Sequence, residues 1–220
     1  MSEPEPARKG RIGLEVPPLG AERGDTPRPA VFLDRDGVLN EAVPDPASGK
    51  PESPLRVEDI QLIATAADGA RRLAQAGYVL VCVSNQPAAA KGKVSMEELL
   101  AVHARVLALL AEEGVQIEAS RLCFHHPDGV VEGLTGECDC RKPAPGMLVE
   151  AARCMSLDVG ASWMVGDTDT DIEAGQAAGA HTALIEYPGS AHKREGKVRP
   201  TLRAPDLANA AGKILGEAGK

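Results

Sequence analysis

The 220 residues are 43% hydrophobic yet hold only two Phe, two Tyr and one Trp, so one domain with a core of Ala, Val, Leu and Ile is expected. A net charge of −8 and a pI near 5.2 argue against the broadly cationic face with which a nonspecific nucleic-acid binder meets phosphates. No apolar run reaches membrane-spanning length and the first residues lack the apolar segment of a secretory signal, so the expectation is a soluble, cytoplasmic monomer that acts on a small molecule, without nucleic-acid or membrane partners.

Residues 1–28 mix prolines and charges without a sustained period and read as a mobile extension, with the domain proper over 29–220. Val31-Phe32-Leu33 then reads as a short buried strand, and Asp34 and Asp36 follow just where it should run out. Extended backbone would put these two carboxylates on one side and Arg35 on the other, with Gly37 permitting a sharp turn. Close carboxylates repel unless a cation or a proton lies between them. Residues 40–58, rich in proline, read as a long surface loop placed to contact ligand. A helix over 66–76 stopped by Gly77 leads into a continuous apolar strand over 78–84, one repeat of a parallel βα sheet. Ser95-Met96-Glu97-Glu98 is a capping box for a helix over 99–113, and 121–125 reads as the next strand. Helix 145–155, strand 162–167, helix 172–178, strand 181–185 and helix 206–215 continue the pattern, while the basic stretch 186–203 reads as a solvated loop. Such alternation implies a doubly wound α/β sheet whose ligands lie beyond the strand C-termini, where Asp34, Ser84 and Asp167 all fall.

Two groups of residues carry chemistry. Asp34, Asp36 and Asp167 make a hard oxygen site suited to Mg²⁺, and Ser84, Asn85 and Lys142 offer a hydroxyl, an amide and an ammonium to phosphate oxygens. A carboxylate neutralised by such a metal can accept a phosphoryl group, and a second aspartate can protonate the leaving oxygen and then activate water if its neighbours raise its pKa. The other group is Cys123-x-His125, twelve residues, then Cys138-x-Cys140: three thiolates and an imidazole suit a closed tetrahedral Zn²⁺ site in a loop over about 123–140. Spacing alone leaves His126 as an alternate ligand. Cys82 and Cys154 read as inert packing residues.

The order D-R-D-G-V-L-N, S-N-Q, R-K-P and V-G-D-T-D-T-D, each after an expected strand, resembles the four motifs of the haloacid dehalogenase (HAD) superfamily of phosphatases, over residues 30–185. The resemblance implies a HAD-type, Rossmann-like sheet with Asp34 as nucleophile, Asp36 as general acid and base, and Ser84, Asn85, Gln86 and Lys142 around the phosphate. It also implies Mg²⁺ held by Asp34, the main-chain carbonyl of Asp36, and Asp167. Asp171 then either supports the metal ligands or, with Thr170, caps a helix. C-x-H-x₁₂-C-x-C directly before R-K-P is similar to the D-glycero-D-manno-heptose 1,7-bisphosphate phosphatases, with histidinol-phosphate phosphatases as their relatives. That likeness implies a zinc-braced loop and a substrate contact for Arg141. The intervals between motifs leave no room for a large cap domain.

The chain departs from the family pattern in two places. The usual S/T-N-Q-S-G is Ser84-Asn85-Gln86-Pro87-Ala88, which removes an N–H, and the basic residue often found after G-D is Thr168, which removes a charge. Lys91-Gly92-Lys93 keeps a basic-Gly-Lys pattern. The leading expectation is hydrolysis of heptose 1,7-bisphosphate to the 1-phosphate through an aspartyl phosphate, with histidinol phosphate as the second substrate to weigh. Outside that class stand a polynucleotide 3′-phosphatase, which the acidic chain disfavours, and a non-catalytic zinc-braced binding module, which the intact Asp34, Asp36, Lys142 and Asp167 disfavour.

Overall fold

The computed structural model describes residues 11–15, 26–45 and 48–216. Its centre is a seven-stranded sheet of β1 (Arg11–Glu15), β2 (Arg28–Leu33), β5 (Val79–Asn85), β6 (Ala119–Cys123), β7 (Leu157–Gly166), β8 (His181–Ile185) and β9 (Leu202–Ala204), in the order β1-β6-β5-β2-β7-β8-β9. All are parallel except β1, which pairs antiparallel with β6. From β2 in mid-sheet the chain adds β5 and β6 on the side where the earlier β1 forms the edge, then returns to add β7, β8 and β9 on the other. The direction of building therefore reverses at β2, which is where an open α/β sheet leaves a crevice for ligand.

Among the described residues five helices cover the sheet: α1 (Ala66–Gln75), α2 (Met96–Glu112), α3 (Gly146–Met155), α4 (Asp169–Ala178) and α5 (Leu207–Ile214). Because side chains alternate along a strand, Val31 and Leu33 of β2 join Leu80, Cys82 and Val165 against α1, α2 and α5. Ala30 and Phe32 point the other way, with Val79, Val81 and Met164, onto α3 and α4. Both faces being apolar explains why 31–33 and 79–83 read as unbroken hydrophobic runs. Fully buried Phe32 and Leu33 each contribute about 1.5–3 kcal/mol by leaving water.

Three segments differ from the sequence reading. Arg11–Glu15, expected within a mobile extension, forms β1, with Arg11 opposite Cys123 and Glu15 opposite Ala119. Five residues are too short for periodicity to announce a strand, and it is the open edge of β6 that gives this one its hydrogen bonds. The remainder of the expected extension up to residue 25 lies outside the described residues. In the second segment, 186–203, a 3₁₀ turn at Pro188–Lys193 and the end strand β9 replace a solvated loop. Lastly, residues 40–58 carry a short hairpin of β3 (Val43–Pro44) and β4 (Pro51–Glu52) and a 3₁₀ turn at Val57–Asp59, with no cap domain among the described residues.

Candidate active site and the cysteine–histidine cluster

β2 ends at Leu33, and the Asp34 N–H still donates to the Val165 carbonyl at 2.9 Å, which pins the strand end to β7. From there the backbone leaves the extended form, and the two-residue period no longer governs where side chains go. Arg35, expected opposite both aspartates, instead folds back fully buried onto Asp36, with Nε–Oδ1 and Nη2–Oδ2 each 3.1 Å. Asn40 Nδ2 and Gln86 Nε2 complete the enclosure of Asp36 at 2.9 and 2.8 Å, and Gln86 Oε1 accepts from Arg35 Nη2 at 2.9 Å. Burial pushes the Asp36 carboxyl up, but the Arg35 charge and these four hydrogen bonds outweigh it, so Asp36 lies below the usual carboxylate range. The raised pKa expected of a proton donor is therefore not its resting condition.

Asp34 has the opposite setting. Its Oδ1 lies 2.9 Å from Lys142 Nζ, whose other partners are Asp171 Oδ1 at 2.6 Å and the Val83 carbonyl at 2.8 Å. Burial lifts the Asp34 carboxyl to about 6, with Lys142 pulling it down and Asp171 and Asp36 adding to the rise. Burial alone would discharge Lys142, yet the two carboxylates hold its pKa above the ordinary lysine value. Asp167 stands well above its usual range through burial and the nearby charges of Asp34 and Asp171. Asp171 Oδ1 faces Lys142, while Oδ2 accepts from Thr168 N at 3.0 Å and Thr168 Oγ1 at 2.6 Å; the N-cap of α4 is therefore Thr168, with Asp171 third in its capping box, and not Thr170 or Asp171 as the sequence suggested.

Two glycines make this proximity sterically feasible. Gly37 has φ +84° and a Cβ there would sit 2.1 Å from Asp167 Oδ2, while a Cβ on Gly166 would sit 2.2 Å from Asp171 Cβ. The carboxylates of Asp34, Asp167 and Asp171 bring oxygens within 4.8 Å of one another, and Asp167 Oδ1 is buried without a hydrogen-bond partner. Three buried carboxylates against one ammonium leave excess negative charge, and oxygen donors alone line it, so the residues fit a hard divalent cation. Asp36, with both carboxylate oxygens engaged by Arg35, Asn40 and Gln86, has its main-chain carbonyl to offer such an ion.

The cleft over these groups has a volume of about 280 Å³ and includes Asp34, Ser84, Arg141, Lys142, Asp167 and Thr168 in its lining. Ser84 Oγ accepts from Gln86 Nε2 at 2.9 Å. The Asn85 side chain also lines the cleft but spends its amide on the Lys142 backbone, donating to its carbonyl and accepting from its N–H, both at 3.0 Å. Asn85 thus fixes Lys142, and the Gln86 side chain fixes Asp36; Gln86 Nε2 spends both its N–H groups, on Asp36 and Ser84, while Asn85 Nδ2 gives one of its two to the Lys142 carbonyl.

Cys123, His125, Cys138 and Cys140 converge. Sulfur–sulfur separations are 3.2, 3.3 and 3.6 Å, and His125 Nδ1 lies 3.6 and 3.4 Å from Cys123 and Cys140. A tetrahedral ion with bonds of about 2.3 Å to sulfur requires edges of about 3.8 Å, so the cage is slightly contracted around the volume of one such ion. His126 points elsewhere, its Nδ1 accepting from Asp128 N at 3.1 Å, which leaves His125 as the ligand geometry. The cluster leads directly into the catalytic segment: Arg141 N donates to Cys138 Sγ at 3.4 Å and Arg141 Nη1 to the His125 carbonyl at 3.3 Å.

Sequence reasoning missed the contribution of 186–195. Ser190 Oγ and Arg194 Nη1 donate to the Asp167 carbonyl at 3.2 and 3.0 Å, and Glu195 N donates to Asp169 Oδ2 at 2.6 Å. Tyr187 OH reaches across to Glu41 Oε2 at 2.6 Å. The segment is therefore stitched to the rim of the cleft and places Lys193 in its lining. These contacts run mostly to main-chain carbonyls, which leave no trace in a sequence.

A sheet in this strand order, with an aspartate at the central strand end and a buried lysine between two carboxylates, defines a hydrolase of the HAD class, and residues 139–210 match the HAD-hydrolase-like family model. The chain is 36% identical over 169 residues to the D-glycero-beta-D-manno-heptose-1,7-bisphosphate 7-phosphatase of Yersinia pestis, covering 77% of this chain and 86% of that one. It is 40% identical over 192 residues to the D-glycero-D-manno-heptose-1,7-bisphosphate 7-phosphatase of Thermosynechococcus vestitus, covering 84% and 94%. Among solved structures, D,D-heptose 1,7-bisphosphate phosphatase from B. bronchiseptica, complexed with magnesium and phosphate, superposes with a TM-score of 0.72 at 29% identity, over 86% of this chain and 99% of that one. The chain belongs to the heptose-1,7-bisphosphate 7-phosphatase family of the HAD superfamily and is a phosphoric monoester hydrolase. Among the described residues no helix is long and apolar enough to cross a membrane.

Proposed function

We propose that this enzyme removes the 7-phosphate of a D-glycero-D-manno-heptose 1,7-bisphosphate, using Mg²⁺ at Asp34, Asp36 and Asp167 and a structural Zn²⁺ at Cys123, His125, Cys138 and Cys140. The observation that carries the reading is Asp34 Oδ1 held 2.9 Å from Lys142 Nζ in a cleft whose lining also brings Lys91, Arg141 and Lys193. Bound Mg²⁺ would neutralise the carboxylates and the incoming phosphate. Asp34 attacks phosphorus and the bond to the sugar oxygen breaks, that oxygen taking a proton from Asp36. Water, losing its proton to Asp36, then attacks the aspartyl phosphate and frees Asp34 and inorganic phosphate. Lys142 and Ser84 bind the phosphoryl oxygens. Asp36 as found is ionised, so it takes up a proton from solvent before the first step, and its carboxyl leaves Arg35, Asn40 and Gln86 to exchange that proton in the cleft.

The cleft favours a bisphosphate over histidinol phosphate. Three acids line the region away from the reacting centre, Glu52, Asp45 and Asp59; Lys193 at 2.9 Å and Lys93 at 3.2 Å offset the first two, and Lys91 and Arg141 tip the balance toward an anionic rather than an amine-bearing substrate. Phosphate release in Mg²⁺ from heptose 1,7-bisphosphate, histidinol phosphate and a 3′-phosphorylated oligonucleotide tests the proposal. A kcat/KM for the heptose at least ~10-fold above histidinol phosphate is expected, about 1.4 kcal/mol of differential transition-state binding. A better rate on either of the other two would overturn it.

A further inference from the structure

Thr168 stands where the motif after Gly166-Asp167 would carry a cation, and it lines the cleft. On the same rim a lysine arrives from a different part of the chain. Lys193 ends the 3₁₀ turn at Pro188–Lys193, between two anchors: Ser190 and Arg194 hold the Asp167 carbonyl at 3.2 and 3.0 Å, and the next residue, Glu195, holds Asp169 through its N–H. The backbone on either side is thus tied to the strand end bearing a metal-site carboxylate. Lys193 is a fixed part of the wall and its Nζ, on a side chain 37% exposed, meets Glu52 Oε2 of β4 at 2.9 Å across the mouth. Both partners line the cleft that holds Asp34 and Lys142.

A half-exposed lysine–glutamate pair contributes little to stability, so a stronger anion can replace the glutamate at small cost. A phosphate dianion is such an anion, with more charge and more acceptor oxygens than a carboxylate. We propose that Lys193 binds the non-reacting phosphate of the bisphosphate substrate, supplying from the 186–195 segment the cation that position 168 lacks, and that this phosphate displaces Glu52. The inference rests on the bisphosphatase reading and names the residue that selects for its second phosphate. Arg141, in the same cleft, is bound to the His125 carbonyl; Lys93, paired with Asp45, lines the neighbouring hollow; Lys91 shares this wall and can assist.

The test compares heptose 1,7-bisphosphate with the 7-monophosphate of the same heptose, which keeps the scissile bond and lacks the distal charge. Lys193→Ala should raise KM for the bisphosphate at least 10-fold with kcat within twofold, and leave both constants for the monophosphate within twofold. Lys193→Ala with Thr168→Lys should recover much of the lost affinity, which a merely structural role for Lys193 would not allow. Glu52→Gln, which frees Lys193, should lower KM for the bisphosphate and not for the monophosphate. If the unaltered enzyme releases no phosphate from the bisphosphate, the functional reading fails and this inference with it. If the enzyme cleaves the bisphosphate but Lys193→Ala weakens both substrates equally or neither, the reading stands and the role of Lys193 is refuted.

Discussion

Replacing Lys142 by Met removes a charge while nearly preserving length, and the geometry sets what should follow. The ammonium has three donors and uses all three, on Asp34 at 2.9 Å, Asp171 at 2.6 Å and the Val83 carbonyl at 2.8 Å. Deleting one partner of a buried ion pair leaves an uncompensated charge and costs about 3–5 kcal/mol. Here two carboxylates lose their partner, with a third, Asp167, beside them, so the upper part of that range applies when no divalent ion is present. For a chain of this size each kcal/mol moves Tm by about 2–4 °C, so about 4–5 kcal/mol gives a fall of about 8–20 °C. Mg²⁺ should return part of the loss, because it neutralises the same carboxylates. Lys142→Met with Asp171→Asn should be more stable than Lys142→Met alone, since one orphaned charge is gone while the new amide oxygen can still accept from Thr168. Thermal unfolding of the three proteins in Mg²⁺-free buffer, without a chelator that would strip the cysteine site, measures this. A Tm for Lys142→Met within about 2 °C of the parent would show that the ammonium does not balance these carboxylates.

Asp34→Asn should keep the fold and lower turnover by several orders of magnitude; retention of more than about a tenth of the activity, a loss under ~1.4 kcal/mol, would refute attack by this carboxylate. Protein purified without chelators should carry about one zinc that Mg²⁺ does not displace, and Cys138→Ser should release it and slow catalysis by loosening Arg141 and Lys142; metal analysis finding none decides against the site. Gly166→Ala should destabilise by about 1–3 kcal/mol in urea unfolding, because its Cβ would lie 2.2 Å from that of Asp171; unchanged stability would contradict the packing at the start of α4. His103, buried beside Ser120, is pushed down to about 3 by desolvation and then by the charge of Arg35. Its folded value lies below the unfolded one near 6.5, so the stability it contributes is present above that pH and is lost as pH falls toward 3. Between pH 6 and 4 the parent should lose about 1.4 kcal/mol per pH unit more than His103→Gln, and equal slopes would remove His103 from the acid response.

What could be read in advance follows from how local each feature is. Apolar runs on both faces of β2 and β5 announced a parallel sheet, and four short motifs announced the strand ends that meet at Asp34, Ser84, Lys142 and Asp167. The partners of those residues depend on distant chain. The extended-strand argument that put Arg35 away from Asp36 fails because it carried the two-residue period past Leu33, where the strand ends as the sequence suggested. Asn85 and Gln86 are within a recognisable motif, yet their amides turn to the Lys142 backbone and to Asp36, choices fixed by what lies across the sheet. Edge strands β1 and β9, of five and three residues, are too short for a period to show. Residues 186–195 look merely basic until the carbonyl of Asp167 appears as their anchor.

The antiparallel strand β1 also has a consequence for how molecules meet. It lies along β6 with Arg11 opposite Cys123, so the strand that begins the cysteine cluster is shielded by hydrogen bonds from the N-terminal segment. A protein shortened to begin near residue 28 would present the outer backbone groups of β6 to solvent as a ready template for another chain. Intermolecular strand addition at that edge would then compete with solubility, and it would bring three thiols of one molecule beside those of another. Arg11–Glu15 thus moves the open edge of the sheet one strand away from the cysteine cluster.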